Sequence, residues 1–223
     1  MNSYLLRASY ENNVKKFIFF SCTVMYPSSE KKLTEKDLDE NKDIFKNYFG
    51  VGNTKMYVEK MCKFYSSLNR TKHYAIRHSN IFGPHDKFDL KKSHFVGATI
   101  NKIHNAKKEI KLWGDGKEKR DFLYVDDLIY FLEKILIYNK TDFEIFNCSY
   151  EKSFSIEQML KKIIKLSGKK IKIIKDKNKP TIKININVSS SKAKKILGWK
   201  SRINIDDALR KTMTWYRKNE LGK

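Results

Sequence analysis

The stretch KFIFFS, residues 16–21, constrains the fold more than any other. It is a continuous apolar run, too short for a helix and without the polar alternation of a strand that is wet on one face. It therefore reads as a strand covered on both sides. The segment after it has a different period. In TKMYVEKMCKFYSSL, Met56, Val58, Met61, Cys62 and Tyr65 recur at near-helical spacing, the mark of an amphipathic helix. This alternation continues along the chain. Residues 2–12 read as a helix and HYAIRHS, 73–79, as a strand. Residues 93–106 read as a helix capped by Ser93, and EIKLW, 109–113, as a strand ending at GDG. Residues 126–138 read as a helix opened by Asp126 or Asp127, and FEIFNCS, 143–149, as a strand. A helix over 154–166, the strands KIKIIK and ININ, and helices over 190–197 and 205–219 complete the pattern. Strands alternating with helices imply an α/β fold with a mainly parallel sheet. Ligands of such folds sit at the carboxyl ends of the strands, which places SCTVMYP, HSNIFGPHD and FNCSY on one rim.

Composition narrows the function classes. The 223 residues suffice for one domain with a real core. The three cysteines, Cys22, Cys62 and Cys148, form no CxxC and no Cys/His cluster, so neither a disulfide scaffold nor a metal site is expected. No apolar run approaches the roughly 20 residues of a membrane span, and the first residues lack a signal-peptide core. A cytoplasmic protein is the expectation. The formal charge of +22 suggests polyanion binding. Lysine, however, outnumbers arginine 40 to 7 and is spread from end to end, whereas phosphate and base forks favour arginine. Nucleic acid is therefore not the expected partner, and a site for a small anionic ligand stays open.

Five motifs, in order, carry a resemblance. NVKKFIFFSCTVMYP, NIFGPHDKF, SHFVGATINKIHNA, LWGDGKEKRDFLYVDDL and KILGWK are similar to segments of the extended short-chain dehydrogenase/reductases that act on nucleotide sugars. Within this NAD-dependent epimerase/dehydratase family the chain most resembles the GDP-L-fucose synthase branch. The resemblance implies a Rossmann-like, mainly parallel sheet with a smaller C-terminal substrate-binding lobe. It assigns residues 1–80 to the later part of the cofactor domain and 81–122 to a substrate-binding segment. Residues 123–150 would return to the sheet, and 151–223 would form the lobe. It implies NADP(H) or NAD(H) as cofactor and a nucleotide-linked 4-keto sugar as substrate, with epimerisation, reduction or both as the reaction.

The family opens with a strand, a Gly-rich turn and a helix that grip the cofactor pyrophosphate. No GxxGxxG occurs here, and the first residues match the middle of that domain. By resemblance the fold is truncated at its N-terminal side by about a third. Such a sheet would expose apolar edges, so the chain is expected to self-associate, as a homodimer for example, or to need a chain carrying the other half. The alternative function is a non-catalytic or incomplete chain that binds nucleotide sugar.

The family pairs a tyrosine with a lysine four residues later, as acid/base and ribose ligand. Aligned on MYVEKMCKFY, the lysine is Lys55 and the tyrosine position is Val51. Tyr48 is either a donor brought back toward Lys55 by a helix break at Gly50 and Gly52, or an aromatic packed at a helix entrance. Cys22 takes the place of the catalytic serine, with Thr23 beside it able to orient a keto oxygen. A small buried residue is the competing reading of Cys22. Val24 stands where the branch has its epimerisation cysteine. His94 matches the epimerisation acid, and histidine titrates near neutrality. His78, His85 and His104 read as structural and His73 as a surface residue. Ser21, Cys22, Lys55, Ser79 and Asn80 match cofactor-side positions. Lys102 and Arg120 match basic diphosphate contacts, and Trp113 a residue beside the substrate or an aromatic closing a strand. Asp127 reads as a helix cap.

Overall fold

A computed structural model describes residues 1–220. The helices are α1 (Asn2–Glu11), α2 (Phe49–Ser66), α3 (Phe95–Asn105), α4 (Val125–Ile137), α5 (Ile156–Ser167), α6 (Ser191–Leu197) and α7 (Ile205–Glu220). The strands are β1 (Lys16–Cys22), β2 (Lys72–His78), β3 (Asn80–Phe82), β4 (Glu109–Trp113), β5 (Lys119–Tyr124), β6 (Phe143–Cys148), β7 (Ser153–Ser155) and β8 (Lys172–Asp176). β1, β2 and β6 form a parallel sheet in that order. β1 has one neighbour among the described residues, so its outer edge is free.

Both faces of the sheet carry a core, but the cover over the edge strand β1 is uneven: Phe19 is buried under the helices, whereas Phe20, on the opposite face, stays exposed. Phe19 and Ala75 pack against Leu6 of α1 and Val58 and Cys62 of α2. Tyr74, Ile76 and Phe146 pack on the other face against Phe131 and Ile135 of α4 and against Ala193 and Trp199. A second core lies among β3–β5–β7, β4–β8, α3, α5 and α7. β7 runs antiparallel to β5, while the pairs β3–β5 and β4–β8 are parallel.

Several local expectations change. Ser93 does not cap α3: its Oγ bonds to the main-chain oxygens of Lys87 and His94, and His94 is the N-cap residue. Asp127 does not cap α4. Its carboxylate accepts from the amides of Arg202 and Ile203, at 2.8 and 3.3 Å, and so fixes the segment before α7. ININ forms no sheet strand. Its backbone bonds to Ser29, Leu33 and Lys119 instead, with one bridge from Leu33 to Val188. His73 is buried rather than on the surface. His85 and His104 lie against Trp215 and Tyr216 respectively.

Candidate functional site

The parallel register aligns Cys22, His78 and Cys148 at the ends of β1, β2 and β6. α2 returns over this rim. Lys55, on its second turn, donates from Nζ to the Phe20 carbonyl at 2.5 Å and lies 4.8 Å from the centre of the Phe19 ring. Next to that carbonyl the Ser21 hydroxyl is fully buried and has no hydrogen-bond partner among the described residues. The Lys55 ammonium at a strand end suits the ribose hydroxyls of a dinucleotide, with the Ser21 hydroxyl buried behind it. The residues present thus fit the nicotinamide-ribose end of such a cofactor.

Gly50 and Gly52 do not break α2, which runs through both from Phe49. Gly52 has a packing role: a Cβ there would lie 2.6 Å from Ile44 Cδ1. Tyr48 is the N-cap residue, and its ring packs on Phe45 and beside Leu38. Seven residues of helix place Tyr48 and Lys55 ~10 Å apart along the axis. Val51, on the face of Lys55, is 47% exposed. The thiol of Cys22 is half-buried, and burial pushes its pKa up, so it is a weak nucleophile at neutral pH. Thr23, the next residue, is buried.

His94 is exposed at the start of α3 and within electrostatic reach of Asp86 and His78. Asn80 donates to the Asp121 carbonyl at 2.9 Å. The Asp121 side chain is fully buried; Oδ1 accepts from the Tyr150 amide at 2.8 Å. Among the described residues neither Asp121 Oδ2 nor the Ser79 hydroxyl has a partner at hydrogen-bonding geometry, although Ser79 lies close enough to favour the charged carboxylate. Burial wins and pushes the Asp121 pKa up to about 6. Unfolded, an aspartate ionises near 3.9. Between these values the folded chain holds a proton that the unfolded chain has released, so stability falls as pH rises from about 4 to about 6. The loss is about 3 kcal/mol. Asp121→Asn removes the titrating group, and urea midpoints measured at pH 4.5 and 7 should differ less in the variant than in the parent.

A second group forms at the far end of α3. Trp113 ends β4 with half of its surface exposed, and Lys102 and Lys179 lie 5.8 and 5.9 Å from its ring centre. Gly114, at φ +72°, leaves room for Thr181, which brings the Lys179 segment alongside. Arg120 is buried and donates to the carbonyls of Lys119, Ile182 and Ile184. These bonds tie β5 to the 182–184 segment. The structure therefore brings together Lys55, Ser21, Cys22, Thr23 and His94 with His78 at the rim, and Lys102 with Trp113 beyond it. Tyr48 and Arg120 are directed to other partners. The placement of His78 and Lys179 was not legible in the sequence. His78 gains its position only through strand register, and Lys179 sits in a loop whose local sequence carries no signal.

A model of the NAD dependent epimerase/dehydratase family matches residues 1–149, and the chain belongs to this family. GDP-L-colitose synthase of Yersinia pseudotuberculosis is 27% identical, with 97% of this chain and 71% of that protein covered. GDP-L-fucose synthase of Escherichia coli (strain K12) is 24% identical, with 99% of this chain and 72% of that protein covered. A GDP-L-fucose synthetase structure from Naegleria fowleri superposes with a TM-score of 0.89 at 21% identity, covering 99% of this chain and 70% of that one. These relatives agree with the Rossmann-like, mainly parallel α/β fold. No helix among the described residues is long and apolar enough to cross a membrane.

Proposed function

We propose that the chain is a nucleotide-sugar epimerase/reductase of the GDP-L-fucose synthase type, acting on a nucleotide-linked 4-keto sugar with NADP(H) or NAD(H). The observation that carries this reading is Lys55, held by α2 at the Phe20 carbonyl beside the buried Ser21 hydroxyl. A bound nicotinamide cofactor would supply or accept hydride. Lys55, with Ser21 behind it and Ser79 and Asn80 across the rim, would hold its ribose end. Thr23 would orient the keto oxygen, and His94 would move a proton during epimerisation. Lys102, with Lys179 beside it, would neutralise the diphosphate, and the exposed face of Trp113 would carry an adjoining group of the substrate. Arg120 would act through the 182–184 segment that it fastens.

The free edge of β1, a strand that carries the exposed Phe20, would accept a strand from a chain supplying a dinucleotide-binding half or from a second copy. Titration calorimetry with GDP-L-fucose tests the substrate reading. Losing a charge-assisted contact costs about 1.5–3 kcal/mol, so Lys102→Ala should weaken binding by roughly 10- to 100-fold. Equal affinity in parent and variant would remove Lys102 from the site. NADPH absorbance with a GDP-linked 4-keto sugar tests the reaction. Binding without turnover would leave the chain as a nucleotide-sugar-binding subunit.

A further inference from the structure

The family's tyrosine position is Val51, and Tyr48 is packed elsewhere, so the proton of hydride transfer needs another carrier. His78 ends β2, opposite Cys22 of β1 and Cys148 of β6. Its ring meets the Phe20 ring edge-on at 6.2 Å, and Phe20 is the residue whose carbonyl receives Lys55. The ammonium lies over the Phe19 ring and the imidazole against the Phe20 ring, so the two groups reach the same strand end from opposite faces of β1. His78 Nδ1 lies 2.8 Å from the Ser79 carbonyl oxygen. A carbonyl only accepts, so Nδ1 carries the hydrogen and Nε2 keeps its lone pair in the neutral ring.

We propose that His78 is the acid/base of hydride transfer, an assignment that rests on the nucleotide-sugar reading above. In the oxidising direction the C–H bond of the sugar carbon would break, and a bound nicotinamide cofactor would take up its electron pair as hydride. The hydroxyl proton on that carbon passes to His78 Nε2, and the O–H electron pair forms the carbonyl. In the reducing direction the imidazolium returns the proton to the oxygen. The groups that face His78 suit this exchange. Burial lowers its pKa, the bond to the Ser79 carbonyl works against this, and Lys55 from α2 and His94 from the start of α3 add to the lowering, so the net shift is downward. The thiols of Cys22 and Cys148 are both raised by burial and stay neutral. The ring is therefore neutral at neutral pH, ready to accept a proton, and its conjugate acid gives it up easily.

The test uses the full chain, with any partner chain that turnover requires. The His78 ring proton, assigned by its disappearance from the NMR spectrum of His78→Gln, should titrate below the ordinary histidine range and shift on adding GDP-L-fucose. His78→Gln should lower kcat by ~10²–10⁴-fold with the Kd for GDP-L-fucose unchanged. Adding Val51→Tyr to that variant should restore turnover, with the pH profile moved to the alkaline side. If GDP-L-fucose binds but the His78 resonance stays still, or if His78→Gln keeps the parental kcat, the assignment to His78 fails and the substrate reading stands. If the parent does not bind GDP-L-fucose, the substrate reading fails and takes His78 with it.

Discussion

Glu59→Ala should lower stability by about 3–5 kcal/mol, because it leaves a guanidinium buried without its counter-charge. The side chains of Arg77 and Glu59 are 3% and 4% exposed. Arg77 Nη2 donates to Glu59 Oε2 at 2.7 Å, and Nε donates to both carboxylate oxygens at 3.1 and 3.2 Å. The remaining nitrogen donates to the Tyr26 hydroxyl and the Glu35 carbonyl, and Tyr26 donates in turn to Asn147. One ion pair thereby ties α2 and β2 to the loop after β1 and to β6. For a chain of this size the loss corresponds to a fall in Tm of roughly 6–20 °C. Replacing both partners, as Glu59→Leu with Arg77→Met, should cost much less, because no charge is then stranded. Equal losses in the single and double variants would show that packing rather than charge holds this junction. Lys55 lies one helical turn before Glu59, so the single variant should also loosen its hold on the Phe20 carbonyl.

The buried sheet was the most legible part of the molecule. The apolar run KFIFFS asks for cover on both faces; α1 and α2 bury Phe19 on one, while on the other Ile18 is only partly covered and Phe20 is exposed, because β1 lies at the edge of the sheet. The elements that were missed, β3, β5 and β7, are short or sit inside motifs whose family pattern draws the eye away from their backbone. Arg77 and Glu59 lie eighteen residues apart, on a strand and a helix, and only the fold makes them partners. Glycine misled in the opposite direction. Two glycines near a helix start favour a break, but close packing of Ile44 on Gly52 offsets their intrinsic preference and α2 continues. At the site, Lys55 was picked out by the resemblance of MYVEKMCKFY to the family's helix, not by any local signal of its own. His78 was not, because its role depends on which residues the parallel register sets beside it. Arg120 carries the same lesson: a sequence shows a fork of donors but not the carbonyls that occupy them.

Trp199→Ala should be the other costly substitution, at about 3–5 kcal/mol. Trp199 follows Gly198, which ends α6 at φ +63° and turns the chain toward α4. The indole is fully buried, its ring centre 5.0 Å from that of Phe131 in a near-perpendicular arrangement. Its Nε1 donates to the Asp127 carbonyl at 3.1 Å, while the Asp127 carboxylate holds the amides of Arg202 and Ile203. Indole and carboxylate together attach the 198–203 segment to α4. Alanine would empty the largest site in that core. Phenylalanine would fill most of it but lose the indole's additional bond to the Asp127 carbonyl, about 1 kcal/mol. Thermal melts should therefore rank parent, Trp199→Phe and Trp199→Ala in falling order, and limited proteolysis should cut the region after α6 first in the alanine variant. A melt of Trp199→Ala matching the parent would mean that Asp127 alone suffices to hold the segment. Because Phe131 also packs against Phe146 of β6, a cavity at Trp199 adjoins the strand that ends at the rim. The alanine variant should accordingly lose GDP-L-fucose affinity as well as stability, whereas the phenylalanine variant should keep it.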